Sequence, residues 1–356
     1  YNVEGNLVNS IAFNYRDSDY SLTEAHAEEE GHDEHIGMDP HDEHEPTVFS
    51  NNATAYGAIF DISNDSMTQK VVFNFVDEDS SIVGEEAFMN PANNEEFTVG
   101  YYMSKDLEAF KLDFGMRLDQ IERTGSVTDE DHGDVDYYSI DDSTNSFAVS
   151  LGRELSDTVN MSIGYASVER LPSVIELFMN GPHMATGRLE TGDPNLKSET
   201  SDNFDITFNY ENGEYFGYAS FYVNDVDNYI TLMDEEDGHD GHDGHDGHDD
   251  DDENAPGEPH DPHENLIHAD YVQEDAEFDG YEIEFGRTMS LASGELTLSF
   301  GRDVVNAKFA DGHNVPRINP ARNVYSLVYE QDDTIFKLSM NCLLYTSDAA
   351  DEVRRV

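Results

Sequence analysis

The chain has 356 residues, with 18 Lys and Arg against 78 Asp and Glu and a formal net charge of −60. A field of this sign repels nucleic acid, whose binding depends on Lys and Arg neutralising phosphates, and it attracts cations. Aromatic residues make up 11% of the chain, which excludes a simply disordered polypeptide, and no stretch approaches the roughly 20 apolar residues of a membrane-spanning helix.

The dominant sequence period is two. From residue 110 to residue 118, Phe, Leu, Phe, Met and Leu alternate with polar residues or glycine, and the same alternation recurs at 159–165, 204–210, 281–285 and 296–300. Because successive side chains of a strand point to opposite faces, each segment predicts a strand with one apolar and one polar face. Thirteen strands are predicted, beginning near residues 6, 51, 69, 96, 109, 145, 158, 202, 215, 270, 295, 321 and 334.

Tight turns and long connections alternate between these strands. Polar turns lie near residues 63–66, 105–106, 156–157, 211–213, 292–294 and 331–333. Long connections are predicted at 16–46, 78–94, 124–142, 170–200, 234–268 and 308–320. This alternation is typical of an antiparallel up-and-down transmembrane β-barrel with short turns at one rim and long loops at the other. A β-sandwich mixes loop lengths at both ends, and a β-helix shows a fixed repeat that this sequence lacks.

Histidine is concentrated in the predicted long connections. All 15 histidines lie there or at their junctions with strands, and none is predicted inside a strand. Residues 234–253 contain Gly-His-Asp four times in succession, and 12 of these 20 residues are acidic. Neutral imidazole is a good ligand for zinc, copper and nickel, and carboxylates complete such sites. The alternative is a solvated acidic loop with incidental histidines. The predicted metal ligands are His26, His32, His35, His41, His44, His183, His239, Asp240, His242, Asp243, His245, Asp246, His248, His260 and His263.

Two further segments carry a family resemblance. Residues 169–178 read Glu-Arg-Leu-Pro-Ser-Val-Ile-Glu-Leu-Phe, and residues 193–199 read Asp-Pro-Asn-Leu-Lys-Ser-Glu. Together they resemble the barrel of TonB-dependent outer-membrane receptors, in which an Arg-x-Pro…Glu-Leu box precedes an Asn/Asp-Pro-Asn-Leu…Glu box. The intervening Asn-Gly-Pro-His-Met-Ala-Thr-Gly at 180–187 looks most like the zinc-uptake branch, and 315–322 resembles a later Pro-Arg-Ile-Pro-Pro-x-Arg element.

This resemblance implies a barrel of about 22 strands in a Gram-negative outer membrane, of which the chain holds about 13, with lipid around it and its long loops extracellular. It also implies a plug and a segment that contacts the TonB complex, both expected upstream of a chain that begins without a signal peptide. The expected ligand is a metal ion, zinc favoured over copper or nickel, captured by the loops and passed toward His183. No catalytic cofactor and no enzyme activity are expected, because no carboxylate is arranged around a Ser, Cys or His in a recognisable catalytic pattern.

Two alternatives stay open for the ligand and one for the role. In the haem-uptake branch a histidine between the two boxes ligates haem iron, and His183 occupies that interval, so haem is the second candidate, with a siderophore beside it. Against haem, Leu171-Pro172-Ser173 departs from the Ala-Pro-Thr that is commonest in haem receptors. A metal-binding surface protein without transport activity is the third reading.

The resemblance covers residues 1–341, which we predict to form the barrel segment. Residues 342–352 read Cys-Leu-Leu-Tyr-Thr-Ser-Asp-Ala-Ala-Asp-Glu, which resembles the translation of a transposon-based sequencing adapter. We therefore expect residues 342–356 to be a non-native tail, and the single cysteine, Cys342, to be foreign to the protein.

Overall fold

A computed structural model describes residues 7–24, 46–84, 87–128, 133–235 and 266–345. Its first seven strands are β1 (Ser10–Glu24), β2 (Thr47–Asp61), β3 (Thr68–Val83), β4 (Ala92–Leu107), β5 (Phe110–Thr128), β6 (Val135–Ser156) and β7 (Val159–Arg170). One helix and two short strands follow: α1 (Val174–Phe178), β8 (Asn180–His183) and β9 (Arg188–Thr191). The remaining strands are β10 (Glu199–Glu211), β11 (Tyr215–Asp234), β12 (Ile267–Leu291), β13 (Gly294–Phe309), β14 (Ala321–Gln331) and β15 (Thr334–Leu344). No helix within these described residues is long and apolar enough to cross a membrane.

Thirteen of the strands form one antiparallel meander. Apart from β8 and β9, each strand pairs with its neighbours in chain order, from β1 to β15. Among the described residues, β1 and β15 each have one sheet neighbour. In such a meander every second connection lies at the same rim, so all the long connections leave from one side, which we call the loop rim. The all-β, antiparallel up-and-down prediction is confirmed, and the meander has the thirteen strands predicted, while β8 and β9 bring the sheet to fifteen.

Some predicted connections are strand instead. Residues 124–142 were expected to be a loop, but β5 and β6 continue in register to the pairing of Thr128 with Val135, and β1 runs on to Glu24. The two strands stay paired through their backbone hydrogen bonds beyond the membrane, where lipid no longer requires an apolar outward face. Side-chain alternation therefore ends before the strands do. The predicted boundary after residue 341 falls inside β15, and the foreign origin of the residues that follow it stays a prediction.

The expectation that no histidine lies in a strand is wrong for two residues. His183 ends β8, and His268 is the second residue of β12. Strand β9 pairs in parallel with Ile267–Asp270, the first four residues of β12. This pairing depends on residues almost 80 positions apart in the chain, and local alternation of side chains does not reveal it.

The two faces of the sheet have opposite character. Large apolar side chains of the alternating segments are exposed on the outward face, among them Leu118, Phe204 and Phe285. On the opposite face of β4, β5 and β6, polar residues such as Asp119 and Thr144 are buried. This inside-out distribution is that of a barrel wall, with an apolar band toward lipid and a polar lumen.

The most deeply buried large side chains lie at the loop rim. Phe178, Leu177 and Pro172 are the largest fully buried side chains of the described residues. Phe178 and Leu177 pack in a cluster with Phe88 and Met89 from the connection between β3 and β4. The long connection between β7 and β10 therefore folds back against the wall instead of projecting from it.

Candidate functional site at the loop rim

Three charged side chains join the two sequence boxes. Arg170 ends β7, Glu176 lies in α1 and Glu199 begins β10, opposite Arg170 in the sheet. The guanidinium binds Glu176 through two nitrogens at 2.9 and 3.1 Å and Glu199 through two at 3.1 and 3.0 Å. Burial raises the pKa of Glu176, but the hydrogen bonds from Arg170 and from the backbone of Ser173 outweigh it and leave the pKa below its ordinary value. The boxes are thus two halves of one clamp.

The helix after the clamp is fixed by a capping box. Ser173 accepts a hydrogen bond from the backbone N–H of Glu176 at 3.3 Å, and its own N–H donates to the Glu176 carboxylate at 2.6 Å. The helix presents Phe178 to Gly125 of β5, where an added Cβ would lie 2.4 Å from the phenyl ring. Glycine at this position of the wall is what allows the helix to approach.

His183 is held in one orientation by its neighbours. Its Nδ1 lies 3.1 Å from Oε1 of Glu190, whose side chain is only 4% exposed, and Thr186 donates to the same oxygen at 2.8 Å. The imidazole stacks on Phe88 with ring centroids 4.4 Å apart. Among the described residues Nε2 has no hydrogen-bond partner. Metal-binding histidines commonly have this arrangement, in which a carboxylate on one ring nitrogen orients the other toward the metal.

The hairpin that carries His183 also holds both ends of the connection between β11 and β12. Arg188 donates to the two oxygens of Asp234, at the end of β11, at 2.8 and 2.9 Å, and Arg317 reaches the same carboxylate at 3.2 Å. At the other end, Ile267 opens β12 beside Arg188 of β9. The acidic, histidine-rich segment therefore leaves and re-enters the fold beside the His183 hairpin.

Comparison with known proteins matches residues 5–348 to the family described as "TonB dependent receptor-like, beta-barrel". The chain belongs to this TonB-dependent receptor family. Membership agrees with the apolar outward face and places the receptor barrel in the Gram-negative outer membrane.

Solved structures of TonB-dependent receptors share the fold. The copper transporter OprC matches 96% of this chain with a TM-score of 0.66 and 15% identity, and the chain covers 49% of it. The FrpB iron transporter (F3-3 variant) from Neisseria meningitidis matches 83% with a TM-score of 0.52 and 13% identity, over 43% of its length. The hemophore receptor HasR of Serratia marcescens, in complex with its hemophore HasA and heme, matches 95% with a TM-score of 0.51 and 12% identity, over 61% of its length.

Of the predicted metal ligands of this receptor, the structure describes only His183. The other fourteen lie outside the described residues: His26, His32, His35, His41, His44, His239, Asp240, His242, Asp243, His245, Asp246, His248, His260 and His263. Within the described ranges, no three His, Cys, Asp or Glu side chains come close enough together to hold a metal ion. His183 with Glu190 offers one oriented nitrogen and a buried carboxylate beside it.

A polar network in the receptor's lumen was not predicted from the sequence. Arg117 binds Asp119 at 2.7 Å and Glu96 at 2.5 Å, and Thr98 donates to Asp119 at 2.7 Å. These residues alternate with apolar ones in the sequence. The alternation predicts that they lie on the polar face, but it does not predict their partners on neighbouring strands. Thr144 completes the network from β6 at 3.3 Å.

Proposed function

We propose that this receptor captures a transition-metal ion, with zinc favoured, at the cell surface and passes it toward His183 for TonB-coupled uptake. One observation carries the proposal: fourteen of the 15 histidines lie in the long connections, all of which leave from the loop rim, and among the described residues His268 alone lies in a strand of the meander. Histidine gathered on one side of a barrel, among many carboxylates, is suited to collecting a cation from that side.

The chemistry of the connections supports a transition metal over calcium or magnesium. Calcium and magnesium take oxygen ligands, which Asp and Glu alone would supply, whereas imidazole is a ligand of zinc, copper and nickel. The copper-transporting neighbour OprC supports a metal-ion ligand in general. The preference for zinc rests on the segment 180–187 and its resemblance to the zinc-uptake branch.

Haem is the second candidate, and a specific observation favours it. His183 is a single histidine with a carboxylate on Nδ1 and stands without two further ligands among the described residues. One axial nitrogen is enough for haem iron, whereas zinc uses three or four protein ligands. An iron–siderophore ligand and a surface protein without transport remain further alternatives. Each role needs binding and not catalysis, so we propose no enzyme activity and no catalytic cofactor. The proposed partners of the whole protein are the ion, the TonB complex and outer-membrane lipid.

Calorimetric titration of the 356-residue chain, refolded in detergent, tests the proposal. Zinc should bind at several sites, and changing His239, His242, His245 and His248 to Gln should remove most of them. His313→Gln, at an exposed histidine outside this segment, is the matched control and should change little. Two results would contradict zinc capture. One is zinc binding that persists in the variant with all four histidines changed to Gln, and the other is a Soret band on adding haem that disappears in His183→Gln.

A further inference from the structure

A cavity of about 450 Å³ lies in the lumen below the loop rim. Strands β1 to β5 form one wall, and the beginning of α1 with the connection between β3 and β4 forms the other. Its size is within the usual range of small-molecule sites, roughly 300–1,000 Å³. Part of its lining is apolar, including Phe49, Ile82, Phe88 and Val174.

Two residues that line this cavity, Arg123 and Asn94, each have a polar atom without a partner among the described residues. The Nη1 nitrogen of Arg123 and the Oδ1 oxygen of Asn94 are buried without a hydrogen bond, and they are the only such side-chain atoms in the described part of the chain. The two residues face each other directly across the pairing of β4 with β5. A buried donor or acceptor left unsatisfied costs about 1–3 kcal/mol, and more when it is charged.

Four arginines of the described residues form no ion pair with a carboxylate, Arg16, Arg123, Arg153 and Arg302, and of these only Arg123 has a buried nitrogen without a hydrogen bond. Six others form ion pairs with carboxylates: Arg117, Arg170, Arg188, Arg287, Arg317 and Arg322. The carboxylates that act on Arg123 through space are Glu96 and Glu176. Arg117 binds the first and Arg170 the second, and neither carboxylate forms an ion pair with Arg123.

We propose that this cavity binds a small organic carboxylate with an apolar body. The carboxylate would accept hydrogen bonds from Arg123, and a hydroxyl or amine next to it would donate to Asn94. The body of the ligand would lie against Phe49 and Ile82. A guanidinium in a partly apolar pocket is suited to a carboxylate because charge-assisted hydrogen bonds are stronger there than in water. No histidine lines this cavity, although His183 stacks on its lining residue Phe88, and the ligand has a charge opposite to that of a metal ion.

Calorimetry with 3-phenyllactate tests the site, because this probe carries a carboxylate, an adjacent hydroxyl and an apolar ring. One molecule should bind per refolded chain, and its methyl ester should not bind. Arg123→Gln should weaken binding at least about tenfold, the effect of losing a charge-assisted hydrogen bond. Arg16→Gln, which removes the same charge from an exposed residue of β1, is the matched control and should bind normally. Zinc binding should be the same in all these variants, which separates this test from that of the metal proposal.

A second variant keeps the test sharp if Arg123→Gln fails to fold by circular dichroism. Asn94→Asp retains Arg123 and places a carboxylate directly opposite it, so it should abolish phenyllactate binding and raise the thermal unfolding temperature of the ligand-free chain. Equal binding of acid and ester, full binding by Asn94→Asp, or no binding of the acid to the unaltered chain would each overturn the proposal. The last result would mean that another segment of the protein, and not a free ligand, is the partner of Arg123.

Discussion

Truncating Phe178 should release the connection between β7 and β10 from the barrel wall. The ring is fully buried, stacks on Tyr138 with centroids 6.1 Å apart and lies across Gly125. Phe→Ala changes at such sites cost about 3–5 kcal/mol, because the transfer free energy is lost and a cavity is left. If this cost falls on the local opening of the connection, the open population rises by roughly two to almost four orders of magnitude.

Limited trypsin digestion measures that opening, because Arg188 and Lys197 lie within the connection. Cleavage follows the open population when reclosing is faster than cutting. Cutting at these two sites should therefore accelerate at least about 100-fold in Phe178→Ala. Phe204→Ala is the control, since it makes the same truncation on the exposed outward face of β10 and should leave the rate unchanged. Equal rates in the two variants would refute the view that α1 anchors the connection.

Three other outcomes are expected. The lowered pKa of Glu176 means that its contribution to stability is present above the ordinary carboxyl pKa, about 4.3, and is lost as pH falls through the lower folded value. Protection of 171–198 against hydrogen exchange, relative to the intrinsic rate at each pH, should therefore fall below about pH 4, and Glu176→Gln should remove this pH step. Zinc binding to a 234–253 peptide should fall as pH drops through about 6.5, while calcium binding persists to about pH 4–5; identical profiles would exclude imidazole ligation. Gly125→Leu should clash with the Phe178 ring and open the same connection, as trypsin cleavage would report. Gly115→Leu in the same strand, where an added Cβ comes no closer than 3.9 Å to a neighbouring atom, should not.

The strands were predictable because lipid imposes a rule on them. A side chain on the outward face must be apolar, so alternation marks each strand and predicts the exposed Phe204 and Phe285 directly. The rule ends above the membrane, where polar segments such as 135–142 continue the ladder through backbone hydrogen bonds that carry no sequence pattern.

The candidate site was predictable only in part. The box residues Arg170 and Glu176 were found through resemblance, but their joint contact with Glu199 depends on the register between β7 and β10. His183 was singled out as well, whereas its carboxylate Glu190 comes from the other strand of a hairpin whose strands, of four residues each, are too short to show a periodicity. Arg123 gave no signal, because an arginine without a partner looks the same in sequence as one with a partner.

The anchoring of both ends of the connection between β11 and β12 has an evolutionary consequence. Arg188 binds Asp234, and β9 pairs with Ile267. The fold of the barrel therefore does not depend on the number of residues between these two points. The entropic cost of closing a loop between two fixed points rises by only about 0.6 kcal/mol for each doubling of loop length. Gly-His-Asp repeats can therefore be gained or lost by replication slippage with almost no penalty in folding. Related strains should differ in repeat number here while Asp234 and Arg188 remain, and the capacity for ions would change by whole repeats.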